Sequence, residues 1–341
     1  ITFLVLRGLV GTAMAAGSAA HAGAALPPFT LVPRTRRWLC GVAQALTLPF
    51  MIILQIMNWL APFFTYHYYT GEPGDSIARA VLASVLVFLA SHLFSLGVAV
   101  ASSRVLLRGI AAGRYPLWGA VYFRWWLADR LHQVAPAYLL SGSSLYNSYL
   151  RAMGAHIGAD VVIGSVTIRQ PHLLRIGDGA SVGANVNLEN VRVERGELVV
   201  GAIDIGAEAY VGSYAVMEGD TAIAPQGRLE GLAALARAGR IAEGEVWDGS
   251  PARRVRQQPV APRPPRPPVT RLRRIGESLF FAAGAALTSV LFFLPIFPAF
   301  ALIDALEGEV LEPSLQAHGY VLAVFEYALL AVPASALLVV G

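Results

Sequence analysis

The sequence contains no lysine: every one of the 26 basic residues among its 341 is an arginine. Chemistry that needs an ε-amino group, whether a Schiff base or a phosphate-loop lysine, is thereby excluded. Cysteine occurs once, at Cys40 on the edge of an apolar run, which rules out an internal disulfide and a cysteine-ligated metal cluster. Charge is sparse, with 14% charged residues against 55% hydrophobic ones and a mean hydropathy of +0.55. So apolar a chain is expected to be a membrane protein rather than an ordinary soluble enzyme. The seven histidines are scattered, without acidic companions at ligand spacing, so no metal site is expected. The chain opens at Ile1 without a cleavable signal pattern, which reads as a piece of something longer.

What the chain does have is a six-residue rhythm between Ala155 and Ile223. An aliphatic residue followed by glycine returns at Ile157-Gly158, Ile163-Gly164, Ile176-Gly177, Val182-Gly183, Ile205-Gly206 and Val211-Gly212. That period suits neither an α-helix nor a simple strand. Six residues make one flat side of a triangular coil, and stacked turns of three sides make a parallel β-helix with its aliphatic side chains inside. A register of eighteen residues per turn, with an insertion near His172 and a deletion near Asn190, predicts three inward columns. They are Ile157, Ile176, Val193 and Val211; Ile163, Val182, Val199 and Met217; and Leu188, Ile205 and Ile223. Positions two residues earlier, such as Ala155, Val161, Ala180, Ala209 and Ala215, are small or aliphatic, as a tight prism requires. Glu197 breaks the pattern, so 194–197 reads as a loop bulging out of the coil. About four turns stacked at roughly 4.8 Å make a prism on the order of 20 Å long. Beyond Ile223, the Ala/Leu-rich stretch 229–238 reads as a short helix.

Apolar runs flank the coil. Residues 39–64 and 77–102 are each long enough to cross a hydrocarbon core of ~30 Å as a helix. Arg34, Arg36 and Arg37 precede the first run, Arg104, Arg108 and Arg114 follow the second, and the connection between them carries Glu72 and Asp75. By the positive-inside rule both outer ends of this hairpin, and the coil with them, are expected in the cytoplasm. The pattern recurs: Arg271, Arg273 and Arg274, a span over 278–303, an acidic turn with Asp304, Glu307, Glu309 and Glu312, and a span over 319–340. The expected division is an apolar lead-in (1–33), a transmembrane hairpin (34–104), an aromatic helical segment along the lipid headgroups (105–154), the β-helix (155–258), a Pro/Arg linker (259–270) and a second hairpin (271–341). Hairpin, module and hairpin read as part of a tandem array, with a four-helix membrane protein carrying one large loop as the other reading. Gly142-Ser143-Ser144-Leu145 resembles a carrier protein's phosphopantetheine serine, but its flank is interfacial aromatics rather than a helical bundle, and that reading is rejected.

Gly249-Ser250-Pro251-Ala252 closes the repeat with a turn similar to the Gly-x-Pro-Ala turn that ends the left-handed β-helices of hexapeptide-repeat acyltransferases. More narrowly, four stretches resemble the carboxy-terminal membrane region of nonribosomal peptide synthetases similar to ε-poly-L-lysine synthase. They are Gly113-Arg114-Tyr115-Pro116-Leu117-Trp118, Tyr122-Phe123-Arg124-Trp125-Trp126, the run from Tyr149 to Gly158, and Trp247-Asp248-Gly249-Ser250-Pro251-Ala252-Arg253. The resemblance covers roughly residues 34–341. It implies a left-handed parallel β-helix (hexapeptide repeat) flanked by transmembrane α-helical hairpins in the cell membrane. It also implies a condensation module that joins carrier-bound aminoacyl units to an amine by amide bonds. The phosphopantetheine arm of a carrier domain, and ATP used by an adenylation domain, would both lie outside this segment. Implied partners are the lipid bilayer, those two domains, and sibling β-helix domains completing an intramolecular pseudo-trimer; nucleic acid is not among them. Two other readings stay open: a catalytically silent copy that completes the pseudo-trimer and anchors the synthetase, and a free-standing membrane acyltransferase using acyl-CoA.

Making an amide from a thioester needs a base to deprotonate the attacking ammonium and donors for the oxyanion, and histidine is the usual base near neutrality. Only His156 and His172 can face a coil groove. His172 lies at the inserted corner after Gln170-Pro171; His156 precedes an inward Ile and so points out of the first turn. Asn185, Asn187, Glu189 and Asn190 cluster on one edge as candidates to bind the amine or orient the base. The resemblance makes Gly249, Ser250 and Pro251 candidates to hold the pantetheine arm. In the family's pattern an acidic residue follows the proline at this corner and a histidine stands a few residues earlier, where this sequence has Ile168.

Overall fold

The computed structural model describes residues 32–71, 74–260 and 270–306 and five positions between 322 and 330. The lead-in 1–31, most of the linker and of the last expected span, Glu72 and the acidic positions 307, 309 and 312 lie outside the described residues. The chain divides into two compact units. One contains residues 99–133 and 141–268 with the first turns of the first long helix; the other contains 49–98, 134–140 and 269–341.

The expected coil is present. Its strands form three parallel ladders in which every third strand along the chain is hydrogen-bonded to the next. One face stacks Ile157, Ile176, Ile205, Ile223 and Ile241; the second stacks Ile163, Val182, Val211 and Leu229; the third stacks Ile168, Leu188, Met217 and Leu235. Except for Ile168, which is half-buried, these side chains are buried. The small residues two positions earlier share that interior, with Ala180, Ala209 and Ala215 at most 1% exposed. From Ile205 onward the period is regular, Ile205 and Ile223 being eighteen residues apart and Ile223 and Ile241 eighteen more. A left-handed backbone residue turns each corner: Glu208, Tyr214, Asp220, Gln226, Leu232 and Ala238 have φ between 57 and 63°.

Three expectations are corrected. Val193 and Val199 do not belong to the inward columns. The chain leaves the coil at Asn190 and rejoins it at Gly201, whose N–H donates to the Asn190 carbonyl at 2.8 Å. Between them Val191–Glu194 and Glu197–Val200 pair antiparallel, and Gly113–Pro116 adds a third strand. The excursion is therefore a whole hairpin rather than a loop over 194–197. Its alternation places Val191, Leu198 and Val200 against Leu107, Ile110, Trp125 and Ala128, while Val193 is 56% exposed. The third correction is that 229–238 is not a helix: Arg228–Leu229 and Ala234–Leu235 are two more sides of the coil. Leu229 and Leu235, six residues apart, point inward with Ala233, while Leu232 and Ala238 turn the corners.

Both open ends of the coil are covered, as exposed strand edges demand. Helix α4 (Ser144–Met153) lies on the first turn, burying Tyr146, Leu150 and Met153. Asn147 Nδ2 donates to the Val161 carbonyl at 2.7 Å and Tyr146 Oη to that of Val166 at 3.1 Å. The Ser143 hydroxyl caps the N-terminus of α4, and Gly154 at φ 114° ends it with a left-handed cap. At the far end Arg253–Gln257 runs back antiparallel along Glu245–Asp248.

The other helices in chain order are α1 (Arg34–Tyr68), α2 (Ile77–Leu106), α3 (Ala120–Val134), α5 (Arg271–Phe293) and α6 (Ile296–Leu306). Among the described residues three stretches, Arg34–Tyr68, Ile77–Leu106 and Leu272–Phe300, are long and apolar enough to cross a membrane. The expected span 278–303 is interrupted between α5 and α6, where Pro295 supplies no N–H for a continuous helix. In the second unit, Tyr66 and Phe88 of the first hairpin pack with Phe293, Phe297 and Phe300; the Phe88 and Phe293 rings stack at 4.1 Å.

Leu188→Ala empties a fully buried place in the third face and should cost about 2–5 kcal/mol. Val193→Ala on the hairpin's exposed side should stay within ~0.5 kcal/mol. Denaturant unfolding of the two variants in detergent checks the contrast; equal losses would return Val193 to the core.

Candidate functional site

The inserted corner Gln170–Pro171–His172 is built into the end of α2. Gln170 is fully buried: its N–H donates to Asn190 Oδ1 at 3.2 Å, and its carbonyl accepts from Asn190 Nδ2 at 2.7 Å. Gln170 Nε2 reaches the Ile110 carbonyl at 3.2 Å, while its Oε1 is buried without a partner among the described residues. His172 is half-buried, with Nε2 at 3.0 Å from the Ser103 carbonyl. A carbonyl only accepts, so Nε2 carries a proton and donates it. The ring's Nδ1 edge lies on Gly154, where a Cβ would overlap it. The Ser103 hydroxyl donates to the Met153 carbonyl at 2.7 Å. His172 is thus a post between the last turn of α2, the cap of α4 and the coil.

Beside His172, on α3, lies His132. Both its ring nitrogens are buried and without a hydrogen-bond partner among the described residues. Burial, reinforced by the nearby His172, pushes its pKa down to about 4.

His156 is placed differently. It is exposed on the first rung and borders an open groove of about 680 Å³ whose polar lining includes Arg151, Arg175, Asp178 and Asp204. Arg151 Nε donates to the Ile157 carbonyl at 2.9 Å and Asp178 Oδ1 accepts from the Ala159 N–H at 2.7 Å, so both are tied to backbone. Among the described residues His156, Arg175 and Asp204 have no such ties.

The amide and carboxylate cluster is not brought together as one site. Asn185 sits at a left-handed corner and bonds Ser165 through its own N–H at 2.7 Å. Asn190 is buried against Gln170. Asn187 and Glu189 alternate with buried Val186 and Leu188, which leaves them on the outer wall of the third face. Gly249, Ser250 and Pro251 form an exposed turn at the far end of the coil, remote along its axis from the first-rung His156; Ala234 N–H donates to the Gly249 carbonyl at 2.9 Å. Ile168 lies on the third face in register with Leu188. Sequence reading missed Gly154 and His132, which contact His172 only through the fold, and also Arg175 and Asp204. The last pair is signalled by alternation with Leu174, Ile176, Ile203 and Ile205, but the hairpin insertion hides their neighbourhood. Among the described residues no group of three His, Cys, Asp or Glu could hold a metal ion.

No family model matches the chain. It is 46% identical over 306 residues to the delta-poly-L-ornithine synthetase of Acinetobacter baumannii (strain AB307-0294), a match covering 89% of this chain and 23% of that protein. The chain thus spans about a quarter of the length of that relative. Among solved structures, a galactoside acetyltransferase in complex with coenzyme A is 21% identical over 33% of this chain and 69% of its own, with a TM-score of 0.29. A hexapeptide-repeat acetyltransferase from Vibrio cholerae O1 biovar eltor, complexed with acetyl coenzyme A, is 16% identical over 36% and 82%, with a TM-score of 0.30.

A pH prediction follows from His132. Its folded pKa lies below the unfolded value of 6.5, so the unfolded chain binds the extra proton between the two. The stability difference is absent above pH 6.5 and grows as pH falls toward 4, reaching a loss of about 3 kcal/mol. Unfolding midpoints measured across that range should fall in the wild type, and His132→Phe should remove most of the slope.

Proposed function

Since most of this chain is similar to a region of a poly-amino-acid synthetase, we propose that it is a membrane-anchored acyl-transfer module, joining carrier-bound aminoacyl units to an amine by amide bonds. The observation that carries this reading is the sequence identity with the ornithine polymer synthetase, spread over both the coil and the flanking apolar helices. The coil is read as left-handed, which the six-residue repeat with a left-handed residue at each corner supports. The positive-inside rule supports placing the coil in the cytoplasm, because Arg34, Arg36 and Arg37 and then Arg104, Arg108 and Arg114 flank the first hairpin.

In this reading the phosphopantetheine thioester is substrate, delivered by a carrier domain and charged with ATP at an adenylation domain elsewhere. Sibling β-helices complete an intramolecular pseudo-trimer. His156 is the base. Its ring is exposed in a groove wide enough for an extended arm, whereas the Nε2–H of His172 is committed to the Ser103 carbonyl. The ammonium loses a proton to His156, its nitrogen attacks the thioester carbonyl carbon, and the C–N bond forms as the C–S bond breaks, the nitrogen's second proton passing to the leaving thiolate. Asn187 and Glu189 on the neighbouring wall, and the Gly249–Ser250–Pro251 turn, are assigned to a sibling's substrate arm rather than to the same groove. A second reading, a silent copy that completes the trimer, is favoured by the structural use of His172 and by Ile168.

Single variants in the full-length protein separate the two. His156→Ala should lower amide formation by about 10²–10⁴-fold with unchanged expression. His172→Ala should lower thermal stability first. Polymer output and chain length left intact by His156→Ala would favour the silent copy.

A further inference from the structure

One column on the outer wall of the coil differs from the others. His156, Arg175, Asp204, Ala222 and Arg240 stand at paired positions on five successive rungs of the first face. Neighbours in such a column are about 4.8 Å apart at the backbone. Elsewhere on the coil opposite charges find each other: Arg192 and Glu218 at 3.0 Å, Arg237 and Asp220 at 2.5 Å, Arg254 and Glu245 at 3.2 Å. Arg175 and Asp204 are opposite charges on adjacent rungs, yet no ion pair or hydrogen bond joins either side chain to any described residue. Both are exposed, and both line the groove that His156 borders.

We propose that His156, Arg175 and Asp204 bind the acceptor of the transfer, a free diamino acid; this rests on the acyl-transfer reading above. The order of groups along the wall matches that ligand. The α-carbon of an amino acid presents an ammonium and a carboxylate side by side, which Asp204 and Arg175 take in charge-assisted hydrogen bonds. The distal amine then extends one rung further, to His156. A monoamino acid lacks the group that reaches the imidazole, and a plain diamine lacks the group that Arg175 holds. At His156 the distal ammonium gives one proton to the imidazole. Its nitrogen attacks the carrier thioester, its second proton passes to the leaving thiolate, and the imidazolium returns the first to solvent.

Binding of L-ornithine to the full-length protein in detergent, measured calorimetrically beside the diamine putrescine, tests the site. Asp204→Asn and Arg175→Gln should each weaken L-ornithine binding at least tenfold, with Asp204→Glu close to wild type. Arg175→Gln should leave putrescine unaffected. In turnover with carrier-bound thioester, Asp204→Asn should raise KM for the free diamino acid tenfold or more and change kcat less than threefold. Affinities of both variants within twofold of wild type would overturn the site. Wild type that forms amide while both variants keep normal KM refutes this inference alone. Wild type that binds L-ornithine with the predicted variant losses yet forms no amide retains the site and refutes the acyl-transfer reading.

Discussion

Where glycine follows an inward aliphatic, one rung of the coil approaches the next so closely that there is no room for a side chain. A Cβ on Gly177 would stand 2.5 Å from the Ala207 nitrogen, one on Gly183 2.6 Å from that of Ser213, and one on Gly206 2.6 Å from that of Pro225. These neighbours are backbone and cannot move aside without breaking the ladder. The glycines are therefore fixed by stacking rather than by their own φ, and the φ requirement falls instead on the corner residue two positions later. Such a corner costs an ordinary residue on the order of a kcal/mol. The chain accepts Tyr and Leu there because the corner N–H is bonded to the rung before, that of Tyr214 to the Ala184 carbonyl at 2.9 Å and that of Leu232 to the Ser213 carbonyl at 3.0 Å.

This constraint explains what was legible in the sequence and what was not. The Ile-Gly and Val-Gly pairs announce the stacking directly, so the coil and its first two turns could be read without coordinates. After Leu229 the glycine signal fails, Glu230 standing where Gly212 stood one rung earlier, and the same architecture reads as a helix. The excursion between Asn190 and Gly201 was illegible for another reason. A two-residue alternation such as Val191, Val193 and Leu198, Val200 serves a free-standing hairpin as well as a coil wall, and only the partners distinguish them. Those partners, Gly113–Pro116 and the buried ring of Trp125, lie about eighty residues earlier in the chain.

The hairpin also decides how the coil is held. It pairs with Gly113–Pro116, while the corner at Gln170 bonds the carbonyl of Ile110 and His172 that of Ser103. Carbonyls at the C-terminus of a helix lack intrahelical donors. At and just beyond this helix end Arg124 donates to the carbonyls of Leu106 and Arg108 and Gln170 to that of Ile110, while His172 shares the Ser103 carbonyl with the Leu107 N–H. The joint is thus a set of mutual obligations between a helix end and a coil corner, and the imidazole most suspicious in sequence is absorbed by it.

That absorption shifts attention from corners to walls. A corner of a stacked coil is crowded by its own turn-to-turn bonds, and its polar groups are consumed: Asn185 by Ser165, Asn190 by Gln170, Asp178 by Ala159. A wall position has its backbone bonds satisfied along the ladder and projects its side chain into solvent every rung, at a spacing set by the strands rather than by the side chain. Such a ruler suits a substrate whose charged groups are themselves regularly spaced. It also places residues far apart in sequence side by side, with His156 next to Arg175 and Arg175 next to Asp204 although a complete hairpin separates the last two along the chain. A coil that gains an insertion at one corner keeps this alignment, because the ladder on either side closes over it, and the outer wall is preserved while the sequence period is lost.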